Sequence, residues 1–400
     1  MRWMTIHKSI VIIGGGSAGI MVASRLVKQR ENFKGQVTII DPAEYHYYQP
    51  LWTLVGAGVS KLEATRKKMK KVIPKGAKWL KEAVKAIHPD ENIVVLQNGE
   101  RVSYDALVIC PGLQVNWDEV KGLKETMGQN GVCSNYSPVY VKETWRQIAS
   151  FKGGNAIFTH PNTPIKCGGA PMKIMYLAED YFRKQGIRPQ TNVMFETAKD
   201  VLFDVEKYAK ELEKIVEKRG IHVDYETHLV EVNGKEQCAT FEHVKTGERK
   251  TVHFDLLHVT PPMGPLPFLK SSGLTDEAGW VEVHPTTMQH PQYDNVFALG
   301  DASNAPTSKT GAAARKQAPV VANHLLQMLK GEMLTHHYDG YTSCPIVTGY
   351  HKLILAEFDY NHHTKETMPF NQAKERRSMY MLKKDILPRL YWHGMLKGRL

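Results

Sequence analysis

The order of apolar runs and amphipathic segments predicts alternating strands and helices from the start of the chain. Residues 9–13 form a continuous, mostly β-branched run, which is typical of a strand buried on both faces of a parallel sheet. Apolar residues at helical spacing predict a helix from about Ile20 to Arg30. Residues 36–40 form a second run of the first kind. The order of strand, helix and strand indicates an α/β fold.

The turn after the first predicted strand suits a phosphate group. Its glycines have the spacing Gly-x-Gly-x-x-Gly, which permits a tight turn and a close approach of pyrophosphate at a helix N-terminus. The expected contacts there are Gly14, Gly16, Ser17, Ala18 and Gly19. Asp41 ends the second strand, where an acidic side chain can accept hydrogen bonds from a ribose. The sequence therefore predicts a dinucleotide site.

Two later strand ends complete this domain from distant parts of the chain. Residues 105–112 end in Cys-Pro-Gly, and residues 295–302 end in Gly-Asp-Ala. They resemble two motifs of flavin enzymes with two dinucleotide-binding folds, although Cys-Pro-Gly departs from the usual Ala-Thr-Gly. The resemblance implies FAD, with contacts from Pro111, Gly112, Gly300 and Asp301. About 190 residues separate the motifs, so a second domain interrupts the first, and NAD is not required.

The interruption begins like a second nucleotide-binding unit and then departs from it. Residues 155–159 predict a buried strand, but the loop that follows holds Pro161, Pro164 and Cys167 in place of a glycine-rich turn. Proline removes backbone donors and stiffens a loop, so no phosphate site is expected there. Helices over 172–185 and 205–219 and a strand over 193–195 are predicted next.

We therefore expect an α/β protein with two Rossmann-like dinucleotide-binding domains of the flavin disulfide reductase type and a C-terminal membrane-interface segment. Residues 1–133 and 261–330 form the FAD-binding domain, and residues 134–260 form the inserted domain with Cys167. Residues 331–400 form the C-terminal segment with Cys344. Residues 79–87 and 92–96 are predicted to be strands of a small sheet in the first part.

Composition and net charge indicate the class of protein and the kind of binding partner. The 400 residues are 42% hydrophobic and 23% charged, with 52 basic and 41 acidic residues and a formal charge of +11. The chain is therefore globular, and its charge suits an acidic partner such as anionic lipid or nucleic acid, or simply gives a basic solvated surface. Five cysteines are too few and scattered for a disulfide scaffold, and metal-ligand spacing is absent. We see no signal or transit peptide and no apolar run of spanning length.

Three motifs carry a more specific resemblance. Residues 48–58 (Tyr-Gln-Pro-Leu-Trp-Thr-Leu-Val-Gly-Ala-Gly), 166–171 (Lys-Cys-Gly-Gly-Ala-Pro) and 341–345 (Tyr-Thr-Ser-Cys-Pro) together resemble sulfide:quinone oxidoreductases, of the branch that includes the mitochondrial enzymes. The likeness extends from Ile10 to about Trp392. It implies FAD, a redox cysteine pair on one face of the flavin and a quinone on the other.

By this resemblance, Cys167 and Cys344 are the catalytic pair, joined at rest by a disulfide or a sulfur bridge. Hydrogen sulfide attacks the sulfur of Cys344 and leaves a persulfide there, and the released Cys167 thiolate passes two electrons to FAD. Such an exchange needs a good leaving thiolate, and Lys166 with the following helix N-terminus would lower the pKa of Cys167. Ubiquinone or menaquinone is the expected electron acceptor, and sulfite, a low-molecular-weight thiol or sulfide itself the sulfane-sulfur acceptor.

Other residues are assigned narrower roles. Gln49 and Val84 are expected cofactor contacts, and Lys309 is expected near the flavin N1/O2 edge, where a cation stabilises reduced flavin. The candidates for the quinone site are Ile346, Tyr350 and Phe358. Cys133 is a candidate for a covalent bond to the flavin, with a structural thiol as the alternative.

The segment 374–400 is predicted to contact a membrane without crossing it. Eight basic and two acidic residues alternate there with Met, Leu, Tyr and Trp, and Pro388 divides two short helices. This pattern is typical of an interfacial anchor, and packing on the protein's own body or on a second subunit of a homodimer is the alternative. We expect a peripheral, monotopic protein at the cytoplasmic face of a bacterial inner membrane, with no nucleic-acid partner.

Two other functions stay open. A type II NADH:quinone dehydrogenase would share the fold and the membrane contact, but it requires the glycine loop that is missing after His160. A non-catalytic sulfide sensor or persulfide carrier would use the same cysteines without turnover.

Overall fold

The computed structural model describes residues 8–29 and 36–400. The strands up to residue 133 are β1 (Ser9–Ile13), β2 (Gln36–Ile40), β3 (Tyr45–Tyr47), β4 (Arg66–Lys68), β5 (Ala77–Leu80), β6 (Val84–His88), β7 (Ile93–Leu96), β8 (Arg101–Ser103), β9 (Ala106–Ile109), β10 (Gln114–Val115) and β11 (Val132–Cys133). The helices there are α1 (Ser17–Lys28), α2 (Trp52–Gly56), α3 (Met69–Val72) and α4 (Leu123–Thr126).

The strands from residue 134 to 260 are β12 (Gly154–His160), β13 (Thr191–Thr197), β14 (His222–Asp224), β15 (Thr227–Asn233), β16 (Cys238–His243), β17 (Arg249–His253) and β18 (Leu256–His258). The helices of this part are α5 (Val141–Ser150), α6 (Ala170–Lys184) and α7 (Glu206–Lys218).

The strands from residue 261 onward are β19 (Met263–Gly264), β20 (Val296–Ala298), β21 (Thr342–Gly349) and β22 (Lys352–Phe358). The helices are α8 (Pro267–Lys270), α9 (Gly311–Leu329), α10 (Arg377–Met381) and α11 (Leu387–His393), with a π-helical turn (Leu382–Ile386) between the last two.

Two parallel sheets form the two dinucleotide-binding units. The first has the order β20-β9-β1-β2-β5, and the second has the order β11-β18-β12-β13-β14. Residues 10–13 of β1 are buried because strands pair with it on both sides and helices cover the sheet. Strand β20 pairs with β9 although about 190 residues separate them, so the first sheet is completed only after the second unit has been built.

The antiparallel hairpin of β21 and β22 packs against α6, the helix of the second unit that follows Cys167. Asp180 of this helix, which is buried, accepts a hydrogen bond of 2.7 Å from the backbone N–H of Tyr350 at the hairpin turn. Arg183 donates to the other oxygen of the same carboxylate. The hairpin and the helix are therefore held together at the end remote from the cysteines.

Four details differ from the sequence-based expectation. Helix α1 begins at Ser17 rather than near Ile20, and its expected end at Arg30 lies outside the described residues. The strand predicted over 79–87 is two strands in different sheets, because the polar residues at 81–82 break the run between β5 and β6. Strand β11 lies before residue 134 but pairs with β18 in the second sheet.

The fourth difference concerns the segment 374–400. The break in the helical run is the π-helical turn at 382–386, and Pro388 lies in the first turn of α11. Proline is tolerated there because the first N–H groups of a helix have no intrahelical partner. Among the described residues no helix has the length and hydropathy to cross a bilayer.

Candidate active site

The glycine-rich turn after β1 forms an open cradle at the N-terminus of α1. Gly14 has φ +106°, and a Cβ there would lie 2.4 Å from the carbonyl oxygen of Cys110, so only glycine fits. A Cβ at Gly16 would meet no described atom within 4 Å. No side chain of the described residues caps α1, which leaves its first N–H groups for a ligand. This geometry fits a pyrophosphate.

Asp41 lies beside this cradle. Its carboxylate accepts hydrogen bonds from the backbone N–H groups of Gly15, at 2.6 Å, and Ala43, at 2.7 Å. Burial raises the pKa of Asp41 above its usual value, although these two hydrogen bonds oppose the shift. The carboxylate is thus already fixed at the end of β2, in the position expected for a ribose contact.

The second predicted loop lies across the same sheet, at the N-terminus of α9. The N–H of Gly300 donates to the side chain of Gln317 at 2.9 Å, and Lys309 donates to the backbone carbonyls of Asp301, at 2.8 Å, and Ser303, at 3.0 Å. Burial raises the pKa of Asp301 and lowers that of Lys309 to about 8. A Cβ at Gly112 would meet no described atom within 4 Å, so the space beside this loop is also open.

The structure brings Cys167 and Cys344 together. Their Sγ atoms are 3.4 Å apart, and both thiols are free. Gly169 makes room for this approach, because a Cβ there would lie 2.8 Å from the Sγ of Cys344. A disulfide has an S–S distance of about 2.05 Å, so a small movement of either side chain would join the pair.

Each cysteine is held by its backbone. Cys344 lies in β21 opposite Ala356 of β22. Cys167 has φ +60°, a left-handed conformation that costs a non-glycine residue about 1–2 kcal/mol. Its N–H donates to the carbonyl of Lys309 at 2.9 Å, and its own carbonyl accepts from Ala170 at 2.7 Å. The loop of the second unit is therefore fixed against the second nucleotide loop.

A buried lysine sets the charge of the pair. The Nζ of Lys173, on the first turns of α6, donates to the Sγ of Cys167 at 3.0 Å, and the residue is only 3% exposed. The hydrogen bond from Cys344 and then the charge of Lys173 hold the pKa of Cys167 well below its usual value, although burial opposes the shift. The hydrogen bond with Cys167 and burial raise the pKa of Cys344. Together with the hydrogen bond from Lys173, these opposite shifts favour the thiolate at Cys167 and the thiol at Cys344.

A second buried lysine, in the segment 374–400, lies near enough to the pair to feel its charges. Lys383 lies in the π-helical turn, is 4% exposed and donates to the carbonyl of Pro50 at 3.1 Å. Burial, and then the charge of Lys173, lower the pKa of Lys383 to about 7, while Cys167 and Cys344 oppose the shift. The site thus places the Lys173 ammonium beside the sulfur pair, with Lys383 as a second buried amine whose pKa is lowered.

Sequence reasoning expected Lys166 to lower the pKa of Cys167, and it missed both buried lysines. The Nζ of Lys166 instead donates to the side chain of Gln49 at 2.8 Å. Lys173 could have been suspected, because it stands within the otherwise apolar run 170–178 at the start of a helix. Lys383 gave no such signal, since it lies in a segment rich in exposed basic residues.

The other residues that the sequence suggested for the cofactor and quinone sites lie in several different elements. Val84 is buried at the start of β6, and Ile346 and Phe358 are buried in the hairpin, where Phe358 packs edge-on against Phe203. The hydroxyl of Tyr350 donates to the carbonyl of Ala57 at 2.8 Å. Cys133 is fully buried in β11, and burial raises the pKa of its thiol to about 12. In the described part of the chain no three metal-ligating side chains converge.

The segment 374–400 has one face on the protein and one face exposed. Tyr380, Tyr391, Trp392 and Leu396 are buried against the rest of the chain. Met381, Ile386, Leu390 and Leu400 are exposed, and the last three line a shallow apolar hollow of about 520 Å³ with Arg389 and Arg399. The aromatic side chains of this segment therefore pack on the protein's own body, while an apolar and basic face is exposed.

Comparisons with known proteins agree with this architecture. The pyridine nucleotide-disulphide oxidoreductase family matches residues 8–149 and 181–318. The mitochondrial sulfide:quinone oxidoreductases of Dictyostelium discoideum and Mus musculus are 50% and 46% identical to the chain over 98% of its length, which covers 86% and 87% of theirs. The solved sulfide:quinone oxidoreductase of Aquifex aeolicus superposes with a TM-score of 0.84 at 19% identity, covering 98% of this chain and 92% of that one.

The pairing of Lys173 with Cys167 predicts an unusually reactive thiol. In the reduced protein at about pH 6, Lys173→Met should slow the alkylation of Cys167 by iodoacetamide about tenfold, because a charge-assisted hydrogen bond to the thiolate is lost. Mass spectrometry of the peptide that contains Cys167 measures the rate. Lys184→Met, a half-exposed lysine of the same helix, is the control and should change it less than about twofold. An unchanged rate in Lys173→Met would contradict the assignment.

Proposed function

Because the chain belongs to the sulfide:quinone oxidoreductase family, we propose that it oxidises sulfide to sulfane sulfur at Cys167 and Cys344 and passes the two electrons through bound FAD to a membrane quinone. The observation that carries the proposal is the 3.4 Å approach of the two sulfur atoms beside the Lys173 ammonium. Two thiols at this distance can form and break a disulfide with little movement of the backbone.

The residues around the nucleotide cradle support FAD as the cofactor. Gly14, Gly16 and the N-terminus of α1 would hold its pyrophosphate, and Asp41 its ribose. The loop at Gly300 and Asp301 would lie along the ribityl chain. When bound, FAD supplies the two-electron acceptor that links the cysteines to the quinone.

The charges at the cysteine pair determine which sulfur is attacked. In the disulfide state, an incoming HS⁻ expels the sulfur whose thiolate is more stable. Lys173 stabilises the Cys167 thiolate, so Cys167 is the leaving group and the S–S bond breaks with a new bond to Cys344. The products are a persulfide on Cys344 and the Cys167 thiolate. Lys173 and the partly charged Lys383 also make the site attractive to an anion.

The cycle can then be completed with only two further reagents, an acceptor for the sulfur and the quinone. A nucleophile such as sulfite or a low-molecular-weight thiol takes the outer sulfur from Cys344 and leaves its thiol. The Cys167 thiolate and the Cys344 thiol can then re-form the disulfide, giving up two electrons and one proton. The quinone takes those electrons with two protons. Overall, sulfide loses two electrons and its sulfur leaves as sulfane sulfur.

The alternative of a type II NADH:quinone dehydrogenase has less support. The loop after β12 would have to accept the pyrophosphate of NADH, yet it contains Pro161 and Pro164 and places Cys167 beside Cys344. A non-catalytic persulfide carrier has no observation in its favour over an enzyme.

The exposed face of the segment 374–400 supports contact with a membrane. Ile386, Leu390 and Leu400 form an apolar patch beside Arg389 and Arg399, a combination that suits insertion among anionic headgroups. The two relatives reported above that are 50% and 46% identical are mitochondrial enzymes, so the expected bacterial inner membrane gains no support from them. The identity of the quinone, a homodimer and the sulfur acceptor stay predictions.

The first test measures turnover. In anaerobic sulfide titrations with a soluble quinone, Cys167→Ser and Cys344→Ser should each retain less than roughly a thousandth of the wild-type rate, because neither can form the disulfide that sulfide opens. Cys238→Ser changes a half-exposed thiol outside the site and should be fully active. Substantial turnover in either of the first two variants would remove that cysteine from the mechanism.

The second test measures membrane contact. Replacing Ile386 and Leu390 together by Glu should weaken flotation with anionic vesicles at least about tenfold, because two apolar side chains no longer enter the lipid. Glu at Val139 and Met333, which are 74% and 85% exposed, is the matched control for added charge. Equal flotation of the two double variants would rule out the patch as the contact surface.

A further inference from the structure

Residues 391–398 lie along the whole length of α1, the helix whose N-terminus forms the phosphate cradle. At its first turn, the hydroxyl of Tyr391 is 2.6 Å from the Oγ of Ser17. In the second half of the helix, the hydroxyl of Ser24 donates to the carbonyl of Leu396 at 2.7 Å. At its last residue, Lys28 donates to the carbonyl of Gly398 at 3.1 Å.

The contact at the first turn is part of a hydrogen-bond relay with a defined direction. The Nδ1 of His46 is 2.9 Å from the carbonyl oxygen of Gly15. A carbonyl can only accept, so Nδ1 carries the proton. Burial lowers the pKa of His46 to about 4, so its ring is neutral and Nε2 must accept. The partner of Nε2 is the hydroxyl of Tyr391, which therefore donates to His46 and accepts from Ser17.

Both ends of this relay lie in the phosphate cradle. One end holds the carbonyl of Gly15 and the other holds the hydroxyl of Ser17, on either side of Gly16. A trans peptide points its C=O and its N–H in opposite directions. Fixing the carbonyl of Gly15 toward His46 therefore fixes the N–H of Gly16 on the other side, away from that ring. The relay sets the direction of one of the donors that a pyrophosphate would meet.

The tyrosine is itself firmly placed. Its ring is buried and lies 4.4 Å, between centroids, from the ring of Tyr48. The next residue, Trp392, packs edge-on against His46 at 5.7 Å and lies under the ammonium of Lys67 at 4.5 Å. Removing only the hydroxyl of Tyr391 should therefore leave the packing of α11 intact.

We propose that Tyr391 is a positioning residue for the cofactor: through His46 and Ser17 it locks the phosphate loop and retains the bound FAD. The inference rests on the proposed function for the identity of the cofactor. In this role the segment 374–400 would help to hold the cofactor as well as contact the membrane.

The rate of FAD release tests the role of Tyr391 in retaining FAD, independently of turnover. In protein reconstituted with FAD and then diluted, the rise in flavin fluorescence should be about two- to tenfold faster for Tyr391→Phe than for wild type, since one hydrogen-bonded link is lost. Ser24→Ala removes one hydrogen bond between the same two elements but away from the cradle, and should release FAD at the wild-type rate. The two apoproteins should unfold at similar temperatures, since each lacks one buried hydrogen bond, which separates loop positioning from general loosening.

A double variant tests whether the relay acts as a unit. His46→Leu combined with Tyr391→Phe should release FAD no faster than the faster of the two single variants, because either change already breaks the chain. If the double variant instead released FAD at a rate that multiplies the effects of the two single variants, the relay would be overturned. A wild-type rate of FAD release in Tyr391→Phe, or a rate in Ser24→Ala as fast as in Tyr391→Phe, would also overturn it. Each of these results leaves the proposed function standing. A wild-type protein that binds no FAD would overturn both.

Discussion

The contact between the Lys173 ammonium and the Cys167 sulfur is the interaction on which the rest of the site depends. Lys173 is 3% exposed, and an unpaired buried charge of this kind costs several kcal/mol. The thiolate of Cys167 neutralises it at 3.0 Å, so each group keeps the other ionised. This arrangement gives the pair a polarity that two equivalent thiols would lack, with one sulfur suited to leave and the other suited to accept the incoming sulfur.

The fold assembles the rest of the site around this contact from three distant segments. Cys167 comes from the loop after β12, Cys344 from a hairpin added after the first sheet is complete, and Lys383 from the π-helical turn that follows. The hairpin packs on α6, and the backbone N–H of Cys167 donates to the carbonyl of Lys309. These contacts fix the positions of the two cysteines. The segment 374–400 also reaches the phosphate cradle through Tyr391, so the same stretch of chain contributes to the cysteine site and to the cofactor site.

The sequence predicted the parts of the structure that local patterns determine. Strands β1 and β2 have the predicted bounds, and the glycine turn follows from a short local motif. The return of β20 to the first sheet was predicted from two motifs about 190 residues apart that resemble those of flavin enzymes. The pairing of Cys167 with Cys344 came from a family resemblance, since no spacing rule joins residues 177 positions apart. The roles of Lys173 and Lys383 could not be predicted, because they depend on which side chains the tertiary fold buries together. Strands β5 and β6 were predicted as one strand for a similar reason. A short polar break in the sequence does not show that the chain passes from one sheet to another.

In the proposed mechanism, sulfide adds its sulfur to Cys344 and releases Cys167. This step can be followed by mass spectrometry of rapidly alkylated peptides, after one equivalent of sulfide has been added anaerobically to the oxidised protein. Before sulfide is added, the peptides of Cys167 and Cys344 should be joined by a disulfide or a sulfur bridge. Afterwards an extra sulfur atom should be found on Cys344, with Cys167 alkylated as a plain thiol. An extra sulfur on Cys167, or two peptides that are never joined, would contradict it.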